Sequence, residues 1–80
     1  MTPITERAAF TDVTSPLSIR EREVLRWVAE GKTSYEIGVI LGLTERTINA
    51  YVAGAMSKLN ASNKTHAAVK ALLLGIIVFA

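Results

Sequence analysis

The sequence predicts an all-α domain built from four helices. Three observations carry that expectation. Apolar residues recur at three- and four-residue spacing from Leu17 to Leu74. Ser, Thr or Asn stands at the start of each such stretch, and Gly or Asn stands just past each end. The apolar content is carried by Leu, Ile, Val and Ala, with only one Trp, two Tyr and two Phe, a composition that suits helices packing on helices.

The chain has 80 residues, enough for one small domain with a single core. Residues 1–16 hold Thr2, Pro3, Thr5, Thr11, Thr14, Ser15 and Pro16 without a sustained period, so they read as a flexible tail or linker. The domain is expected over residues 17–80.

Helix one is expected from Ile19 to Glu30. Ser18 is a good N-cap, and Glu21 three residues later completes a capping-box pattern. Val24, Leu25, Val28 and Ala29 share a face that should meet the core, with Trp27 at its edge. Gly31 supplies the left-handed residue that commonly ends a helix.

Thr33 or Ser34 caps helix two, whose apolar face is expected at Ile37, Ile40 and Leu41. Gly42 stops it and Thr44 caps helix three. The link Gly42-Leu43-Thr44 is so short that helices two and three must meet at a sharp angle, the helix-turn-helix layout.

Helix three is expected from Glu45 to Leu59. At 100° per residue, Ile48, Val52, Ala55 and Leu59 fall in one narrow arc. The opposite arc holds Arg46, Asn49, Ala50, Ala53 and Ser57. Ser62 or Asn63 then starts helix four, which runs to Leu74 and is closed by Gly75. Ala67, Ala68, Val69, Ala71, Leu72, Leu73 and Leu74 cover most of its circumference. A helix this apolar needs burial on more than one side. Its outer side is expected to meet a second copy, through Ala68, Leu72 and Leu73, or else the tail Ile76 to Phe79.

Charge is unevenly distributed. Up to Glu45 there are five Lys/Arg against seven Asp/Glu; from Arg46 onward there are four Lys/Arg and no acid. A basic C-terminal half points to a polyanionic partner. The sequence has no cysteine and a single histidine, His66. Disulfides and thiolate metal sites are therefore excluded, and no His-based metal cluster or catalytic pair can form within one chain. There is no Gly-rich phosphate loop and no nucleophile–base pair beyond chance, so an enzyme is not expected. The apolar run ALLLGIIVFA is too short to span a bilayer. The N-terminus lacks the basic start and apolar run of a signal peptide. A cytoplasmic location without membrane attachment is expected.

The ordered series LSIREREVLRWVAEGKTSYEIGVILGLTERTINAYV and SKLNASNKTHAAVKALLLGII resembles the LuxR-type, or GerE-type, helix-turn-helix family. The ending SNKTHAAVKALLLGII looks more like its quorum-sensing branch than its response-regulator branch. The resemblance implies a LuxR C-terminal type domain, bacterial, binding double-stranded DNA for transcription regulation. Helix three would enter the major groove and helix four would pair with its twin. Neither the small-molecule domain of quorum-sensing members nor a receiver domain fits into the sixteen residues before Leu17. The chain is therefore expected to be an excised or stand-alone domain that by itself binds no small-molecule signal and no cofactor.

Base contacts are expected at Arg46, Asn49, Ala50 and Ala53. Arg suits the two acceptors of guanine, Asn suits the acceptor and donor of adenine, and alanine methyls can touch thymine. Phosphate contacts are expected at the N-terminus of helix two, from free backbone N–H groups with Lys32, Thr33 and Ser34, and around helix three from Thr44, Thr47, Tyr51 and Lys58. The sequence departs from the family pattern at Tyr51, where His is common, at Gly54, where Asn is common, and at Ala50 and Ala53, where larger side chains often read bases. The reading face is thus sparse. The alternative function is a protein-interaction module that pairs with a related full-length regulator and inhibits it.

Overall fold

The structure, a computed structural model, describes residues 15–79. The proposed linker therefore lies almost wholly outside the described residues. Within them the chain is all-α, with α1 at Ile19–Ala29, α2 at Ser34–Leu41, α3 at Glu45–Leu59 and α4 at Lys64–Leu73. The expected boundaries hold to within a residue or two.

The caps explain why the helices start where they do. Ser18 and Glu21 form a reciprocal capping box: Ser18 Oγ accepts from Glu21 N–H at 3.1 Å, and Ser18 N–H donates to Glu21 Oε1 at 2.9 Å. Thr33 and Glu36 repeat the arrangement on α2. Thr44 caps α3 by accepting from Thr47 N–H at 3.1 Å. Asn63 caps α4 by accepting from His66 N–H at 2.8 Å. Each cap satisfies a backbone donor that has no partner within its helix.

The turn between α2 and α3 depends on two glycines for different reasons. Gly42 has φ +72, a left-handed conformation that is costly for residues with a Cβ. Gly38 is needed for space. Leu43 N–H donates to Gly38 O at 2.8 Å, and a Cβ on Gly38 would lie 2.5 Å from the backbone oxygen of Leu43. The two helices meet closely only because that side chain is missing.

The core has two connected parts. Leu17, Leu25, Ala55, Leu59, Ala67, Ala71, Ile76 and Ile77 pack α1, α3 and α4 together. Val24, Ile37, Ile48 and Val52 pack α1, α2 and α3, with Trp27, Leu41, Leu43 and Tyr51 partly buried around them. Val28 and Met56 touch both parts. Ile48, Val52, Ala55 and Leu59 are all buried, so the inner arc of α3 is the expected one.

Two expectations about apolar faces need correction. Ile40 is 44% exposed. The buried face of α2 is Ser34, Ile37 and Gly38, with Leu41 half-buried. It is centred on small residues, which permit close packing, and this turns Ile40 outward. On α4, Ala67, Ala68 and Ala71 are buried within the domain. After α4 the chain reverses at Gly75, φ +74, and Ile76 N–H donates to Ala71 O at 2.8 Å. Ile76 and Ile77 thereby join the core, while Val78 and Phe79 stay exposed.

Candidate nucleic-acid interface

The α2-turn-α3 unit presents the outward arc of α3 to solvent. Arg46, Asn49, Ala50, Ala53 and Ser57 are all exposed along it. The helix carrying them is clamped on its inner arc by Val24 and Ile37 and by the packing of α4 at its C-terminal end. The proposed base-contacting residues thus lie together on a rigid element.

Asn49 is not independent of α2. Ser34, at the first turn of α2 and only 7% exposed, donates its hydroxyl to Asn49 Oδ1 at 2.6 Å. This bond spans the turn and ties the N-terminal third of α3 to the start of α2. Nothing in the local pattern around either residue announces it, because the partners lie fifteen residues apart.

At the start of α2 part of the expected anion site is already engaged. Lys32 N–H donates to Trp27 O at 3.1 Å, and Thr33 N–H donates to Glu36 Oε1 at 2.8 Å. These two backbone donors are taken, and Ser34 spends its hydroxyl on Asn49. The Thr33 backbone and side-chain hydrogen bonds, with nearby Lys32, hold the Glu36 carboxyl below its ordinary pKa. A formal negative charge therefore sits at this helix end, where a phosphate would gain from the helix dipole. The side chains of Lys32 and Thr33 remain exposed.

The residues around α3 are distributed as follows. Thr44 is exposed and donates its hydroxyl to Thr47 Oγ1 at 3.0 Å. Tyr51 is half-buried against the Val24–Ile37–Ile48–Val52 cluster. Lys58 is exposed but already paired: its Nζ donates to Glu21 Oε1 at 2.8 Å. Burial pushes the Glu21 carboxyl up, but the Lys58 hydrogen bond and charge and the Ser18 hydrogen bonds outweigh it and leave the pKa lowered. Lys70 Nζ donates to Leu59 O and Asn60 O at 3.0 and 3.1 Å. It places a cation on the free carbonyls at the C-terminus of α3, where the dipole favours one.

The expected second-copy surface is also redrawn. Ala68 is 4% exposed and belongs to the interior, because its methyl faces the rest of the domain. Leu72 is half-buried against the core. Leu73 is 81% exposed, and Val69 and Leu74 accompany it.

Comparison with known proteins resolves the relationship. The profile of the family described as "Bacterial regulatory proteins, luxR family" matches residues 15–71. The chain belongs to the luxR family. Among curated proteins, this luxR-family domain is 50% identical over 68 residues to the transcriptional activator protein AnoR of Acinetobacter nosocomialis, covering 85% of this chain and 29% of AnoR. It is 52% identical over 61 residues to the quorum sensing-dependent transcriptional regulator RpaR of Rhodopseudomonas palustris, covering 76% of this chain and 25% of RpaR. Among solved structures it superposes on SdiA of Escherichia coli with a TM-score of 0.74 and 48% identity, covering 78% of this chain and 26% of that one. The chain therefore spans a third or less of the length of these relatives. No helix among the described residues is long and apolar enough to cross a membrane.

Proposed function

We propose that this luxR-family domain binds double-stranded DNA with α3 in the major groove, and that two copies occupy an inverted repeat to regulate transcription. The observation carrying the proposal is the exposed row Arg46, Asn49, Ala50 and Ala53 on a helix whose opposite arc is fully buried. A helix fits the major groove, and a guanidinium and an amide are the side chains best suited to base edges there. Thr33, Thr44, Thr47, Lys32 and Tyr51 flank the row and are the proposed phosphate contacts. Ser34 and Lys58, already bonded within the fold, act chiefly by holding α3 in place. The second copy is proposed to meet the exposed apolar strip Val69, Leu73 and Leu74, which lies on the helix after the recognition element.

Selection of bound sites from random duplexes at two salt concentrations tests this reading. The expected product is an inverted repeat with half-site centres about 34–36 Å apart, bound more weakly as salt rises. Arg46→Ala and Asn49→Ala should each cost about 1–3 kcal/mol on the selected site. Failure to enrich any sequence, together with tight pairing to a full-length relative, would replace the proposal with the inhibitory interaction module.

A further inference from the structure

The bond between Ser34 and Asn49 bears on which base Asn49 reads. At 2.6 Å it has the length of an O–H···O contact, shorter than the usual N–H···O distance. The serine hydroxyl is therefore the donor and the Asn49 carbonyl oxygen the acceptor. Ser34 is almost fully buried between α2 and α3. The capping box of Thr33 and Glu36 fixes the turn that carries it. Asn49 itself is exposed on the outward arc.

An unconstrained asparagine offers a donor and an acceptor side by side, which matches the N7 and N6 pattern of adenine. Here the Oδ1 edge is turned toward α2 and engaged. The edge left for a groove is the NH2, which carries only donors. We propose that Ser34 is a specificity-determining residue: it orients the Asn49 amide so that its NH2 meets a single acceptor, a purine N7, guanine O6 or thymine O4, and does not make the paired N7 and N6 contact that would single out adenine. This inference rests on the reading of α3 as the base-contacting helix. Ser34 acts through Asn49 and touches no base.

Two measurements test it. The first uses the free protein, so it does not depend on DNA binding. Side-chain couplings and relaxation of the Asn49 amide should report one rotamer in the wild type and averaging in Ser34→Ala, with Ser34→Thr restoring the single rotamer. Averaging in the wild type, or an unchanged amide in Ser34→Ala, would overturn the orientation. The second is site selection with the wild type, Asn49→Ala, Ser34→Ala and Ser34→Thr. At the base position that responds to Asn49→Ala, the wild type should not favour adenine over guanine, because both carry the N7 acceptor. Ser34→Ala should raise the preference for adenine over guanine about tenfold at that position alone, and Ser34→Thr should not. Adenine already preferred by the wild type, or a preference unmoved by Ser34→Ala, overturns the inference while leaving the DNA-binding reading intact. If no position responds to Asn49→Ala, the reading of α3 fails, and this inference fails with it.

Discussion

The Glu21 carboxylate lies directly over Gly54: a Cβ built on Gly54 would stand 2.6 Å from Glu21 Oε2. This accounts for glycine in the middle of α3, where alanine would ordinarily be favoured by about 1 kcal/mol. The other oxygen of Glu21 is held by Ser18 N–H and Lys58 Nζ, so the carboxylate cannot swing aside without loosening both. Gly54→Ala is therefore expected to give none of the usual helix gain and to lower stability. In a Glu21→Ala background the same substitution should be more favourable by about 1 kcal/mol, a coupling read from a urea-denaturation double-mutant cycle. Equal effects of Gly54→Ala in the two backgrounds would contradict the account.

Stability should also depend on acid pH through Glu21. Its pKa is lowered in the folded state despite burial, because Lys58 and Ser18 favour the ionised form. A carboxyl with a depressed folded pKa binds fewer protons folded than unfolded. Its contribution is complete above the ordinary glutamate pKa and is lost as pH falls through the lower folded value. Glu36 acts with the same sign. Urea midpoints measured downward from pH 7 should fall in the acid range, and less steeply in Glu21→Gln, which no longer carries the charge. An acid limb of unchanged steepness in Glu21→Gln would assign the loss to other groups.

What the sequence disclosed follows from where the relevant physics is local. Helix ends were legible because caps act over three residues: Ser18 with Glu21, Thr33 with Glu36, Thr44 with Thr47. The outward row of α3 was legible because a long helix with one buried arc has an unambiguous period. In contrast, α2 is only eight residues long, and its choice of buried face was decided by how closely Gly38 approaches Leu43. Ile40 was misplaced for that reason. The contacts that modify the candidate site, Ser34 with Asn49 and Glu21 with Lys58, join residues fifteen and thirty-seven positions apart. The expectation of a phosphate contact at Lys58 misses its ion pair, because a lone lysine on a helix carries no sign of a distant carboxylate. Ala68 looked like an interface residue because an all-round apolar helix does not say which side its own domain covers.

Gly38 offers a direct test of the turn. Its backbone is helical, so the reason for glycine is steric: the atom a Cβ would meet is the backbone oxygen of Leu43, 2.5 Å away, which cannot move as a side chain can. Gly38→Ala should force α2 and α3 apart and cost about 1–3 kcal/mol, as overpacking does. DNA affinity, measured under conditions where the variant remains folded, should fall as well, because the spacing between the start of α2 and the outward row of α3 changes. A variant with wild-type stability would show that the turn relaxes freely.

The proposed second-copy strip along and just past α4 can be tested apart from folding. Leu73 is 81% exposed, so Leu73→Glu should leave stability within about 0.5 kcal/mol of the wild type. Leu72 packs against the core, so Leu72→Glu should unfold the domain and cannot serve as the test. If two copies meet along Val69, Leu73 and Leu74, Leu73→Glu removes the coupling between half-sites. Affinity for an inverted repeat should then drop on the order of a hundredfold, while affinity for an isolated half-site stays the same. The comparison of the two duplexes in one titration series is decisive, since damage to α3 would weaken both. An undiminished advantage of the repeat over the half-site in Leu73→Glu would place the second copy on a different face.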